Sequence, residues 1–457
     1  MTTAGLEDDV VDTALSSIGS SNNVACGHPI HHLAAEILGE IFIHCIPSPS
    51  NPVSSEDPPL LFLQVCRYWR QTASATPRLW TDVNLGKKLL RDPSSIFQMW
   101  LDNARSLPLQ VKLPRYATNA TQAEAVLELV LNNFHRILEL EGSLTPRFST
   151  FLLKHSLPIQ APYLRRLDVS GWDKLPSLQA LERLRGCMIV PQLQICGLNS
   201  TRFQFSLLSF SDPTRLRELS DLWVMDVAEF ESMEILSSFT NLETLTVYLN
   251  NPVDASLMKI PPRIPIPSLR NLSIGTFPDY NPELFLKALD VPLLEHLTIG
   301  QTPTIEPLLD TLMGGTIPPL KSLHLFGHNI TESVYTPWIS KFRQLEKLTL
   351  DHGALDVKVL ASLTCDDSRR SDLGICPLLS TMHFKRLRLP WGAVEDMLRS
   401  RAPKGDADDG LRNVIFEDCD ASEDDRAALA KIIEESRGLL EIRHISNQVS
   451  NDSAYQV

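Results

Sequence analysis

The chain lacks the motifs by which most enzymes, membrane proteins and secreted modules announce themselves. It has no glycine-rich phosphate loop, no Gly-x-Ser-x-Gly elbow, no His-Glu-x-x-His and no Cys-x-x-Cys, so the common routes to phosphoryl transfer, acyl transfer and zinc chemistry are not written in it. No catalytic residue, metal site or cofactor is expected, and the chain reads as a non-enzyme. Its eight cysteines are scattered from Cys26 to Cys419 without paired spacing, which suits reduced thiols and a cytoplasmic or nuclear location. No run approaches the roughly 18 to 20 apolar residues that span a bilayer. The first residues, with Glu7, Asp8 and Asp9, do not read as a secretory signal. Positive charge is also short, 42 Lys and Arg against 55 Asp and Glu for a formal charge of −13. With no basic cluster interleaved with aromatics, neither nucleic acid nor membrane is an expected partner.

What is there begins with a helical unit too apolar to stand alone. Leu33, Ala34, Ile37, Leu38, Ile41, Phe42 and Cys45 share one broad stripe at the helical period, with Glu36, Gly39 and Glu40 opposite; the spacing predicts an amphipathic helix. The segment Leu60 to Trp69 is apolar on nearly every face and, as a single helix, needs cover on two sides. The phrases Val65-Cys66-Arg67-Tyr68-Trp69-Arg70 and Thr76-Pro77-Arg78-Leu79-Trp80 close the unit. So short a segment has little core of its own, which leaves a face for the rest of the chain or a partner to cover. His31, His32 and Glu36 are close enough to imagine as metal ligands, but Glu36 reads more simply as a solvated acid. Cys66 reads as a small buried hydrophobe.

At these residues, over roughly 29–84, the chain resembles the F-box family in its divergent fungal form, whose motif runs from Leu-Pro-x-Glu-Ile-Leu to Val-Cys-(Lys/Arg)-x-Trp-(Arg/Lys). The resemblance implies a small all-α F-box domain docking onto the Skp-type adaptor, and through it the cullin scaffold, of a Skp–cullin–F-box ubiquitin ligase. By position, the adaptor-binding side chains it implies are Leu33, Ile37, Leu38, Ile41, Leu63, Val65, Cys66 and Trp69. Two departures stand out. Ala34 replaces the usual Pro, and Ile46 to Pro59, with five prolines and four serines, is longer than the usual loop, which closure entropy tolerates.

Downstream one phrase recurs, Leu-x-x-Leu-x-Leu with substitutions. It is read at Leu164-Leu167-Val169, Leu193-Cys196-Leu198, Leu219-Leu222-Val224, Leu242-Leu245-Val247, Leu269-Leu272-Ile274, Leu294-Leu297-Ile299, Leu320-Leu323-Leu325 and Leu345-Leu348-Leu350. Weaker copies follow at Leu379, Leu411 and Leu439, and an early one at Leu138-Leu140. Alternation along a short strand sends the leucines into a shared core and the residues between them outward. Amphipathic stretches near Glu234, Leu286 and Val394 supply helical return paths. This half resembles the leucine-rich-repeat family, which serves F-box proteins as a target-recognition surface. The expected class is therefore α/β: an F-box domain, then an irregular leucine-rich-repeat solenoid, an arc of short parallel strands with helices or turns on the convex side.

The expected divisions are a disordered leader 1–28, the F-box domain 29–84, a helical junction 85–106, the solenoid 107–445 and a disordered tail 446–457. Function then sits on the open sheet face. Alternation sends out Arg166, Asp168, Asp221, Thr244, Ser273, Thr298, Ser322, Thr349 and Asp351, among others. The expected target-binding residues are Trp223, Thr246, Tyr248, Asn271, His296, His324, Phe326 and Lys347, with the aromatic side chains as anchors. The acidic stretches Asp406 to Asp409 and Glu417 to Asp425 read as solvated loops or a site for a basic partner. The resemblances imply a substrate-recognition subunit binding an adaptor and a target protein. The alternative is a leucine-rich-repeat scaffold outside any ligase, whose F-box-like helices only cap the solenoid.

Overall fold

A computed structural model describes residues 29–47, 52–85, 92–113, 120–143, 159–170, 188–199, 208–224, 236–249, 263–276, 283–300, 318–327, 341–365, 375–403 and 410–445. The expected leader, tail and Asp406–Asp409 stretch lie outside these residues, as does Glu234. Fourteen strands form one wholly parallel sheet in which spatial order equals chain order. They are β1 (Asp82–Asn84), β2 (Leu109–Lys112), β3 (Ile137–Ser143), β4 (Arg166–Ser170), β5 (Ile195–Asn199), β6 (Glu218–Val224), β7 (Thr244–Leu249), β8 (Asn271–Thr276), β9 (His296–Gly300), β10 (Ser322–Phe326), β11 (Lys347–Ala354), β12 (Thr381–Arg388), β13 (Asn413–Glu417) and β14 (Glu441–Ile445). The sheet does not close on itself; β1 and β14 are its edges.

Stacking in register explains why the phrase repeats. Leu245, Leu272, Leu297, Leu323, Leu348, Met382 and Val414 pair from strand to strand, and so do Val247, Ile274, Ile299, Leu325, Leu350, Phe384 and Phe416. All are buried. At about 1.5 to 3 kcal/mol for each large aliphatic side chain, every repeat contributes several kcal/mol that only its neighbours make available. The first leucine of each phrase is fixed by a tight turn, as in Leu242 N–H to Phe239 O, Leu269 to Ile266, Leu294 to Val291, Leu345 to Phe342 and Leu379 to Cys376. The first residue of each of these five turns is itself buried, so those units carry a fourth apolar position three residues upstream of the phrase.

Two phrases sit in a different frame from the one expected. Leu219 pairs with Leu245 and so occupies the second place; Leu216, fully buried, is the first, and an irregular register follows Leu219. Leu140 likewise pairs with Leu167, which makes buried Ile137 the first position and leaves Leu138 half-exposed. At the end, Ile442 pairs with Val414 as expected, although Leu439 is exposed and Leu440 is buried. In the two shifted cases two apolar residues lie near the same place, and only strand pairing decides which one faces inward.

The return paths include helices where the chain is long enough: α6 (Glu283–Ala288), α7 (Val357–Leu363), α8 (Trp391–Arg401) and α9 (Glu423–Glu435). The acidic run before Asp425 is no loop. Ser422 caps α9 and forms a reciprocal capping box with Asp425, and Glu423, Asp424 and Asp425 fill the first turn, where the helix dipole favours negative charge. One residue before each strand, charge alternates along the stack through Arg217, Glu243, Arg270, Glu295, Lys321 and Glu346. Glu295 is ion-paired with both Arg270 and Lys321.

The helical unit comprises α1 (Ala35–His44), α2 (Phe62–Val65) and α3 (Arg67–Ala75), with α4 (Pro93–Ala104) and α5 (Ala120–Asn132) beyond. The apolar segment from Leu60 to Trp69 is broken at Cys66, whose backbone is extended and whose sulfur accepts from the Trp69 N–H at 3.5 Å. Cys66 is thus the cap of α3 and half-buried, not a core residue within one helix. The break lets two short helices pack differently, which removes the need for cover all round. The sheet starts one strand earlier than expected, at β1, so the unit and the sheet share a core running from Leu38 to Leu440. Trp80, fully buried, meets Trp100 edge-on at 5.0 Å and donates to Ala73 O at 2.8 Å; Trp100 donates to Asp82 O at 3.0 Å.

Candidate functional site

Two surfaces stand out among the described residues, one apolar and one polar; large exposed hydrophobics also occur elsewhere, as at Tyr163, Leu293, Val357 and Leu378. On the helical unit, Phe42 and Phe62 stack at 4.1 Å, with Trp69 tilted against them at 4.9 and 6.0 Å. Tyr68 Oη donates to Leu33 O at 2.6 Å and ties α3 to the start of α1. These contacts fix the inner faces. Outside them, Ile37 is 54% exposed, Ile41 41%, Leu61 38% and Val65 51%. Ile37 and Ile41 are four residues apart on α1, and Leu61, which caps α2, is four residues before Val65 at its end, so each pair lies on one side.

Of the residues expected at an adaptor contact, Ile37, Ile41 and Val65 lie on this surface. Leu33, Leu63, Cys66 and Trp69 are half-buried beneath it. Leu38 is completely buried, so it supports the surface from inside and cannot touch a partner; it follows Ile37 directly, and a helix turns neighbours to different faces. Leu61 belongs to the open group although it was absent from the expected set. Its place four residues before Val65 was the available signal.

The second surface is the face of the sheet opposite the leucines. Register arranges its side chains in rows. One runs Thr244, Asn271, His296, Ser322, Lys347, Thr381 and Asn413; the next Thr246, Ser273, Thr298, His324, Thr349 and His383; the third Tyr248, Gly275, Gly300, Phe326, Asp351, Lys385 and Glu417. Seven of the eight expected target-binding residues therefore share this face. The backbone of Trp223 is in register with Tyr248, but its side chain lies outside the described ones. Gly275 and Gly300 are the two gaps in the third row, and the neighbouring rings use them. A Cβ on Gly275 would stand 2.4 Å from the Tyr248 ring, and one on Gly300 3.4 Å from Phe326.

Thr349 and Asp351, expected to project into solvent, are buried at 7% and 3% exposure. The reason is a polar cluster that closes over Asp351. Arg386 grips its carboxylate through both oxygens at 2.8 Å; His352 Nδ1 lies 3.4 Å and His324 Nε2 3.8 Å away. Arg386 also covers the Phe326 ring at 5.8 Å, and His352 meets the ring edge at 5.7 Å. The residue after the third row is left-handed in four successive units, Gly327 at φ 78°, His352 at 64°, Arg386 at 50° and Asp418 at 51°. Only the glycine adopts this freely. The carboxylate bonds hold His352 and Arg386 there, so the cluster is assembled at the expense of local backbone strain.

One strand on, Glu417 lies between His383 Nε2 at 3.1 Å and Lys385 Nζ at 3.0 Å. Burial lowers the basicity of both His324 and His383 below the ordinary histidine value, against the opposing pull of Asp351 and Glu417. Both are therefore mainly neutral at pH 7. Among the described residues no group of three or more His, Cys, Asp or Glu is arranged to hold a metal, and no helix is long and apolar enough to cross a membrane. No family model matches the chain, and no curated protein matches it.

Proposed function

We propose that the chain is the non-catalytic target-recognition subunit of a Skp–cullin–F-box type ubiquitin ligase. The helical unit is an F-box that docks on the Skp-type adaptor, and the parallel sheet is an irregular leucine-rich-repeat solenoid that holds the target. One observation carries this reading: Ile37, Ile41, Leu61 and Val65 stay open to water on helices whose other faces are locked into the core. Exposed aliphatic pairs of this kind suit a docking surface. Chemistry then belongs to the partners, in the cytoplasm or nucleus, and this chain supplies placement by raising the effective concentration of a target lysine near activated ubiquitin.

The second reading is a scaffold outside any ligase, in which the helical unit only caps the sheet; it is supported by β1, which directly follows the helical unit and pairs with β2. Co-purification of the full chain with a Skp-type adaptor separates them. Wild type is expected to bind, and Ile37→Asp with Val65→Asp to abolish binding while leaving urea unfolding unchanged, because both side chains already face water. A wild-type chain that does not bind, or a double variant that binds as well, defeats the ligase reading.

A further inference from the structure

The open face is not uniform in charge. At its amino-terminal end the outward positions Glu139, Glu141, Asp168 and Glu218 outnumber Lys112 and Arg166. Toward its carboxy-terminal end, β10 to β13 carry Lys347, Lys385 and Arg386 together with His324 and His383, in a protein whose net charge is −13. The two carboxylates there are already engaged: Asp351 by Arg386, Glu417 by Lys385 and His383. Lys347 is exposed and stands on the strand between the two histidines, one step along from Thr349, which separates them in the register. His324 and His383 flank Thr349, one strand to either side of the strand that carries Lys347; their Nε2 atoms are buried and turned toward Asp351 and Glu417, so the Lys347 ammonium is the group that faces solvent there. Ser322 and Thr381 border Lys347 in its own row and add hydroxyl donors.

We propose that this spot, Lys347 with His324 and His383, is a subsite for a carboxylate side chain, Asp or Glu, in an acidic segment of the target polypeptide. The inference rests on the target-binding role given to the sheet face above. Charge decides the chemistry. With the histidines neutral, fixed cations exceed carboxylates by one, which matches a monoanion better than a doubly charged phosphate. The histidines act through charge: a bound carboxylate favours their protonated form. His324 is faced by Asp351 and Lys347 from β11 and by His383 and Lys385 from β12; His383 is faced by Glu417 from β13, by Lys347, and by Lys385 on its own strand. His296 in the row of Lys347, His352 beside Asp351, and the Arg443–Glu441 pair on β14 complete the charged surroundings. Adding one anion to this set shifts the balance toward proton uptake, so binding strengthens as pH falls toward 6.

The test uses the full-length chain and a fluorescein-labelled hexaglutamate peptide, with hexaglutamine and a phosphoserine-containing peptide of equal length as comparison probes, followed by fluorescence anisotropy. Hexaglutamate is expected to bind and hexaglutamine not. Lys347→Ala should weaken binding about tenfold and Lys347→Arg restore it, as for a charge-assisted contact. Affinity should rise between about pH 7.5 and 6.0, and His324→Asn with His383→Asn should remove that rise. Equal binding of hexaglutamine, indifference to Lys347→Ala, or a clear preference for the phosphopeptide overturns the carboxylate assignment. A chain that captures the adaptor but not hexaglutamate defeats this inference alone; one that binds hexaglutamate but no adaptor defeats the ligase reading alone.

Discussion

The joint between the helical unit and the sheet is where a single substitution is most informative. Trp80 is fully buried, edge-on to Trp100 at 5.0 Å, with its indole N–H bonded to Ala73 O. Trp80→Ala empties a cavity at a cost of about 3 to 5 kcal/mol, and loss of the ring pair adds about 1 kcal/mol. The lost hydrogen bond adds little, because Ala73 O still accepts from the Thr76 N–H at 3.2 Å. Trp80→Phe keeps most of the ring volume and should cost only about 1 to 2 kcal/mol. Repeat proteins do not always unfold in one step, so amide hydrogen exchange is the right assay. If helices and sheet share one core, Trp80→Ala should lower protection in α3 and in β1 and β2 together, by about three powers of ten at roughly 1.4 kcal/mol per tenfold. Loss confined to α1–α3, with Val83 and Val111 as protected as in wild type, would refute the shared core.

Two further outcomes follow from buried polar groups. Arg401, held within the last units, donates to Leu363 O, Ile375 O and Cys376 O, and burial makes its guanidinium less basic than usual. Arg401→Leu leaves those carbonyls without their donor, at about 1 to 3 kcal/mol for each one that water does not reach, and Arg401→Lys should fail to rescue because an ammonium lacks the planar fork; amide hydrogen exchange in α7 and α8 measures both. Because burial depresses the histidine pKa values of His324 and His383 in the folded chain, the unfolded chain takes up protons first on acidification. Their contribution to stability is complete above the ordinary histidine value and is lost as pH falls through the lowered folded values. Urea midpoints should therefore drop between about pH 7.5 and 5.5, and His324→Asn with His383→Asn should flatten the drop; an unchanged slope would contradict the assignment.

Much of the architecture was legible because it is periodic. Leu269-Leu272-Ile274 and its copies alternate on a strand and recur at short intervals, and one chain length per repeat leaves a parallel stack as the natural way to bury them all. The face of Tyr248, His324, Phe326 and Lys347 followed from the same alternation. The frame at Leu216 and Ile137 did not, since adjacent apolar residues satisfy either pattern until a neighbouring strand selects one. Neither did the break at Cys66, which depends on how α2 and α3 pack against Phe42.

By itself, then, the amino-acid order determined the strand-bearing phrases, their inward leucines, the apolar stripe of Ile37 and Ile41, and the absence of familiar catalytic signatures. These are local properties, set by side-chain type and by periods of two and 3.6 residues. Tertiary structure alone decided that Asp351 is buried under Arg386, that Glu417 is consumed by His383 and Lys385, and that Lys347 keeps an exposed charge between two histidines. Such arrangements join residues more than twenty positions apart, and their energies depend on distance and desolvation, which strand register sets and a linear sequence does not contain.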